Sequence, residues 1–302
     1  MGLADTILYQ IAKRWPSPMK RFDTEFGAQP GTAEYDRAYA ISQFNRQVCD
    51  GIGLPVFGKD VLEIGSGHGS ISCFAACAGA RSVVGIDINQ HSMQFGRELA
   101  EKLGTGLSGR LPVTFQEMDA YNLSFGAETF DIVISENSFE HFIRPERVME
   151  ESFRVLRPGG ALLVPIFSSI YSMYGLHLKN GLKLPWANLF FSEKTIIKAM
   201  QRLAIDKPAL LDTYPGLRNG AQRVRDLRAH GDLNDITYGK FKQMARDTGF
   251  KIERFRPISL RIGYALRLLG PLQRTLLADI LSGGASACLR KPKRPAVSPA
   301  SS

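Results

Sequence analysis

The residues of this chain that could do chemistry fall into an ordered series. Gly65-Ser66-Gly67-His68-Gly69 forms a glycine turn, Glu63 stands two residues before it, Asp87 and Asp119 follow, and His141 and His177 come later. Glycines let a backbone turn sharply and approach a ligand that any Cβ would block. A helix starting just after such a turn aims its free N–H groups at the same space, where a carboxylate or a ring of hydroxyls is well received. An acid one helix length further on can accept hydrogen bonds from both hydroxyls of a ribose. Glycine turn and acid together therefore suit a nucleotide-type cofactor. The histidines are groups able to take a proton from an attacking nucleophile near neutral pH.

Short apolar runs must hold these residues in place. Val61, Leu62 and Ile64 suit a strand covered on both faces, residues 70–78 a helix, and residues 82–87 a second strand ending in Asp87. That order alone is shared with dinucleotide-binding enzymes. Three details separate the two readings. The turn is spaced Gly-x-Gly-x-Gly rather than Gly-x-Gly-x-x-Gly, an acid precedes it, and a further series follows. That series is Glu117-Met118-Asp119-Ala120, then residues 130–142 with Ser135-Glu136 and Ser138-Phe139-Glu140-His141, then Val155-Leu156-Arg157-Pro158-Gly159-Gly160.

In this order and spacing the chain resembles the class I S-adenosylmethionine-dependent methyltransferases, particularly the small-molecule group that includes the ubiquinone and menaquinone methyltransferases. The resemblance covers residues 61–164 with specific motifs and extends more loosely to Lys291. It implies an α/β fold with a Rossmann-like, seven-stranded, mostly parallel sheet. The seventh strand would return antiparallel beside the fifth, and a helical insertion would follow the fifth. S-adenosyl-L-methionine is the implied cofactor. Glu63 and Gly65, Ser66, Gly67 and Gly69 would hold its methionine portion, Asp87 its ribose, and Ile88 one adenine face. Asp119 would accept from the adenine amino group, Ala120 would donate from its backbone, and Ser135 and Glu136 would line the space near the sulfonium. His141 occupies a position that faces the reaction centre in many relatives, and His177 lies in the loop after the fifth strand, where substrate contacts cluster. Packing for His141, and a surface-loop position for His177, are the plainer readings.

Around this core the chain divides into an N-terminal helical cap (1–59), a methyltransferase domain (60–291) with a substrate-cover insertion (168–238), and a disordered proline- and serine-rich tail (292–302). Residues 3–15 and 37–51 read as helices, the second lying across the cofactor entrance. Ser192 reads as an N-cap, residues 238–248 as a helix stopped by Gly249, 250–255 as a strand, 260–281 as helical segments, and 286–290 as the last strand. Trp186, Phe190 and Phe191 suggest an apolar lid over a ring-bearing acceptor, or simply the packing that folds the insertion onto the core.

The composition, with 44% hydrophobic residues among 302, allows a substantial core. Four cysteines with no further soft ligands at suitable spacing give no metal site and fit a reducing, cytoplasmic setting. The N-terminus shows no signal peptide pattern. Much of the net charge of +9 sits near the C-terminus, which would attract an anionic membrane peripherally, although a solvated basic face reads as well. Nucleic acid is the least supported partner, because no groove-reading motif or stacking array accompanies the charge. The expected activity is methyl transfer to a hydroxyl of a small-molecule, lipid-linked or glycan acceptor. C- or N-methylation is the alternative, and an NAD-dependent oxidoreductase or a non-catalytic binding protein is the alternative of another class.

Overall fold

The computed structural model describes residues 32–45, 48, 56–107, 109–173, 175–178, 180–182, 184–227, 233–259 and 276–294, with Ala4, Ile7 and Gln10. Its elements run α1 (Ala33–Phe44), β1 (Asp60–Ile64), α2 (Ser70–Cys77), β2 (Ser82–Asp87), α3 (Gln90–Gly104), β3 (Val113–Glu117) and β4 (Phe130–Ile134). There follow α4 (Pro145–Val155), β5 (Leu156–Phe167), α5 (Ala187–Phe190), α6 (Glu193–Asp206), α7 (Leu210–Thr213), α8 (Tyr238–Asp247), β6 (Lys251–Ser259) and β7 (Ser282–Arg290). The helices expected at 3–15 and 260–281 and the tail beyond Arg294 lie largely outside the described residues.

The seven strands form one sheet in the order β3-β2-β1-β4-β5-β7-β6. β1 to β5 pair in parallel, and β7 runs antiparallel to both neighbours, as the expected fold class requires. The apolar run of β1 explains its central place, because a strand there is covered on both faces and only its first residue keeps some exposure. On one face Leu62, Ile64, Val133, Leu162 and Phe167 pack with Val148 and Met149 of α4 and Phe241 and Ala245 of α8. On the other Val61, Ile132, Ile134, Ala161 and Leu163 meet Ile71, Cys73 and Ala75 of α2 and Ala40 and Phe44 of α1. The order in which strands are added to the sheet reverses between β1 and β4, and in such sheets ligands sit outside the carboxyl ends of the strands at that switch.

The helix starts follow local chemistry. The side chains of Asn89, Ser192 and Thr237 accept from the backbone N–H three residues on and so begin α3, α6 and α8. Gly249, at φ +97°, ends the α8 region. Two elements differ from the sequence expectation. β7 begins at Ser282 instead of residue 286, because Ala285 pairs with Phe167 and Ser282 with Ser259. Ser-Gly-Gly-Ala carries little strand propensity of its own, so its neighbours impose the conformation. The helix expected at 37–51 begins at Ala33, capped by Thr32, and packs beside α2 and α3 rather than across the cofactor entrance. Arg37 donates to Leu103 O and Thr105 O at the end of α3, and Asp36 pairs with Lys102.

The segment between β5 and α8 has a separate core built from Leu178, Leu182, Ile196, Met200, Leu203, Tyr214 and Leu227. Trp186 fastens it to the body by donating from Nε1 to Ile280 O (2.7 Å). Several of the C-terminal cations are used inside the fold. Arg290 pairs with Glu253, Arg294 with Glu128, and Lys291 Nζ donates to Phe153 O and Leu156 O. Among the described residues no helix is long and apolar enough to cross a membrane.

Candidate functional site

The glycine turn between β1 and α2 is held from below. Gly65 N and Ser66 N both donate to Ile86 O at the end of β2 (2.9 Å each), which fixes the turn to the neighbouring strand. Gly65, Gly67 and Gly69 all lie in the left-handed region, but their side-chain positions face different surroundings. A Cβ on Gly65 would stand 2.6 Å from Ser138 Oγ, and one on Gly69 2.5 Å from the Phe115 ring, whereas one on Gly67 meets nothing within 4 Å. Gly65 and Gly69 are thus required by packing, and Gly67 faces open space. That cradle fits a ligand pressed against the backbone.

The open space is a cleft of about 460 Å³ across the carboxyl ends of β3, β2 and β1 and the turn after β4. Of the residues singled out in the sequence, Gly65, Gly67, Asp87, Ile88, Asp119, Ala120 and His141 line it. The Asp87 carboxylate accepts from Gly67 N (2.8 Å) and Asn89 N (2.9 Å), so it is oriented by the two turns it joins and keeps lone pairs for the cleft. Asp119 Oδ1 accepts from Tyr121 N (2.8 Å). Ile88 is exposed beside them, as an apolar residue waiting for a flat partner would be.

Sequence reasoning passed over Ile86, Asn89, Ser92, Met118, Tyr121, Ser138, Phe142 and Ile143, which complete the walls. Tyr121 OH accepts from Ile143 N (2.8 Å), closing one side of the slot, and its ring meets that of Phe142. Met118, Ser138 and Phe142 stood in noted motifs, but nothing in those motifs told which way each side chain faces.

Glu63, Ser66 and Ser135 lie buried beneath the cleft, Glu136 is half-buried, and Gly69 sits at the start of α2; none of the five lines the cleft. Glu63 accepts from Ser72 Oγ of α2. Burial pushes its carboxyl up to about 8, with Glu136 and Asp87 adding repulsion against the Ser72 hydrogen bond. Burial also raises Glu136. The hydroxyls of Ser66 and Ser135 have no hydrogen-bond partner among the described residues.

Beyond Gly65 the cleft meets a second constellation. Ser138 Oγ donates toward Gly65 O (3.2 Å) and Glu136 O (2.9 Å), tying the turn after β4 to the glycine turn. The next three residues, Phe139–His141, form a single 3₁₀ turn that buries Glu140 and brings His141 to the cleft wall. The fold then brings His177 from the insertion to the same place. The two imidazole rings lie 5.0 Å apart between centroids, and His177 Nε2 lies 3.5 Å from Glu140 Oε1. Burial lifts the Glu140 carboxyl to about 7, against the Ser168 N–H that donates to it. Asn234, at the far end of the insertion, pins the 3₁₀ turn by donating from Nδ2 to Phe139 O (2.7 Å) and Phe142 O (2.8 Å).

The aromatic residues read as a lid do not cover this cleft. Trp186 anchors the insertion and Phe190 points to solvent. Phe191 and Leu176, the residue before His177, line a separate cavity of about 510 Å³ within and beside the insertion.

Comparison with known proteins bears on the domain and the fold. Residues 62–164 match the methyltransferase domain family. The ubiquinone/menaquinone biosynthesis C-methyltransferase of Roseobacter denitrificans is 29% identical over 209 residues, covering 69% of this chain and 72% of that protein. The ubiquinone biosynthesis O-methyltransferase of Rhizobium rhizogenes is 31% identical over 154 residues, 51% of this chain, which spans only 58% of that relative. Among solved structures, an S-adenosylmethionine-dependent methyltransferase from Listeria monocytogenes shares the fold at a TM-score of 0.51 and 12% identity, over 85% of this chain and 99% of its own. The cyclase SpnF shares it at 0.50 and 18%, over 96% and 93%. Residues 62–164 carry a methyltransferase domain, set in the fold of the class I S-adenosylmethionine-dependent methyltransferases.

Proposed function

We propose that this protein methylates a hydroxyl on a small-molecule, lipid-linked or glycan acceptor, and that the hydroxyl docks at His141. The observation that carries the reading is the convergence of Glu140, His141 and His177 at the end of the cleft beyond Gly65. Bound S-adenosylmethionine supplies an already electrophilic methyl group. Its methionine end belongs over Gly65, Ser66, Gly67 and Gly69, with Glu63 beneath as the acid that favours its ammonium. Asp87 takes the ribose hydroxyls, Ile88 and Tyr121 flank the adenine, and Asp119 and Ala120 meet the adenine edge. Ser135 and Glu136 shape the floor between the two ends.

With such an electrophile, alignment and exclusion of water can supply much of the acceleration, with effective molarities on the order of 10⁵ M or more in well-oriented cases. A hydroxyl must also lose its proton, and the imidazoles of His141 and His177 are the groups placed to assist. The insertion at 168–238 covers the acceptor, which extends from His141 toward the cavity beside Leu176. C-methylation is the second reading, favoured by the name of the Roseobacter relative. It uses the same cluster, because an ionised ring hydroxyl passes its charge to a neighbouring carbon.

Isotopically labelled S-adenosylmethionine offered with phenolic, lipid-linked and glycan acceptors tests the proposal through the labelled position in the product. Label on oxygen is expected. Label on carbon or nitrogen overturns the hydroxyl reading, and full turnover in both His141→Ala and His177→Ala with normal cofactor binding overturns the assignment of the histidines.

A further inference from the structure

The cysteine-poor sequence gave no metal set, yet the fold brings one together from hard and borderline donors. We propose that Glu140, His141 and His177 bind a single divalent transition-metal cation of the zinc class, whose open coordination positions face the acceptor end of the cleft. One donor atom from each of the three residues lies within 4.8 Å of the other two. Ligand bonds of about 2.0–2.2 Å in a tetrahedral set place donors roughly 3.4 Å apart, so a small closure of the imidazoles completes the site. Two imidazoles and one carboxylate suit zinc, cobalt or iron(II) rather than magnesium or calcium, which prefer oxygen ligands.

A second observation points to a ligand. Glu140 is only 1% exposed, and its Oε2 has no hydrogen-bond partner among the described residues. A buried carboxylate oxygen left unsatisfied is costly, and coordination is one of the few ways to offset that cost. The ligands are also held from outside. Asn234 N donates to Glu140 O (2.8 Å), and Tyr214 OH donates to His177 O (3.1 Å). His177 sits at φ +52°, a conformation a non-glycine residue keeps only where its surroundings impose it.

The role of the site in catalysis rests on the hydroxyl reading above; cation binding does not. A cation ligating the acceptor oxygen lowers the pKa of its O–H and fixes its direction of attack. With the cation bound the two imidazoles assist as its ligands and not as proton acceptors: the proton leaves to solvent water and the oxygen lone pair forms the new C–O bond. The C–S bond breaks with its pair passing to sulfur, giving the methyl ether, S-adenosylhomocysteine and one proton.

The test uses the full chain without an affinity tag, dialysed against chelator and titrated with Zn²⁺ by calorimetry and with Co²⁺ by visible absorption. One equivalent is expected, with Co²⁺ bands of a histidine and carboxylate site. Glu140→Gln and His177→Asn should each weaken binding at least tenfold while S-adenosylhomocysteine binding is kept; Asn tolerates the left-handed backbone, which guards against misfolding. Binding of neither cation, or equal binding in the Glu140→Gln/His177→Asn double variant, overturns the site. Full turnover of the chelator-dialysed protein on a hydroxyl acceptor overturns its catalytic role and leaves the hydroxyl reading intact. One bound equivalent in a protein that labels only carbon or nitrogen upholds the site and removes the hydroxyl reading.

Discussion

The two ends of the cleft are built in opposite ways. At the cofactor end, Gly65, Gly67, Asp87 and Asp119 stand at or just beyond the tips of adjacent parallel strands, and backbone groups fix them locally, as Gly67 N and Asn89 N fix Asp87. At the acceptor end, Glu140 and His141 come from one short turn, His177 from an insertion with its own core, and Asn234 from that insertion's far end. The cofactor end is a property of strand tips, and the acceptor end is a property of the tertiary fold. Substitutions should therefore separate cofactor binding from turnover.

The largest separation is expected at His141. His141→Ala should lower kcat about 10²–10⁴-fold, the usual contribution of a positioned proton-transfer or ligating group, with S-adenosylhomocysteine affinity little changed. Stopped assays with labelled donor and calorimetry measure the two quantities. A parallel fall in both would mean that the ends are not independent.

Asp87→Ala should do the reverse. It removes the acceptor of Gly67 N as well as the ribose partner, so affinity should fall on the order of 10²-fold, as for the loss of a charge-assisted pair of hydrogen bonds. Gly67→Ala sharpens the point. Its Cβ meets no protein atom, so the fold should lose only about 1 kcal/mol for the left-handed backbone, yet the methyl group enters the cradle and binding should drop at least tenfold. Gly69→Ala has no such freedom, since its Cβ would strike Phe115 and the Gly96 backbone. A lower melting temperature is expected there before any specific loss of binding.

The same contrast explains what was legible in the sequence. Glycine spacing, the strand-end acid and the apolar runs are local signals, and they located the first two strands, the turn and Gly65, Gly67 and Asp87 of the cleft; the resemblance they supported added the rest of the sheet and Ile88, Asp119, Ala120 and His141. The start of β7 was not legible because Ser282, Gly283, Gly284 and Ala285 take their conformation from β5 and β6 rather than from their own propensities. Tyr121, Ser138 and Phe142 were missed because nothing in their neighbours tells which way a turn residue faces. The proximity of Glu140 to His177 depends on where the insertion docks, a matter decided by Trp186, Tyr214 and Asn234 together. Asn234→Ala tests that dependence. The loss of three partly buried hydrogen bonds, to Phe139 O, to Phe142 O and from Ile236 N, should cost about 1–3 kcal/mol in unfolding experiments and lower kcat more than it weakens S-adenosylhomocysteine binding.

The smallest effect on binding should be a pH dependence carried by Glu63 at the cofactor end. Glu63, facing Ser72, Glu136, Asp87 and the raised thiol of Cys73, has its folded pKa near 8, against 4.5 for the free side chain. Below 4.5 the carboxyl is protonated in both folded and unfolded chains and contributes nothing. From 4.5 to 8 the unfolded chain ionises first, so stability falls as pH rises, and the penalty is complete above 8. Glu63→Gln should therefore leave the melting temperature unchanged near pH 4 and raise it near pH 8. An ammonium group placed over Glu63 favours the ionised form, so S-adenosylhomocysteine binding near pH 7 should release a fraction of a proton and tighten by less than tenfold toward pH 8. Calorimetry in two buffers of different ionisation enthalpy reads the released proton, and Glu63→Gln should abolish it. Unchanged proton release in that variant would move the ammonium partner from Glu63 to another group, and with it the orientation of the methionine end.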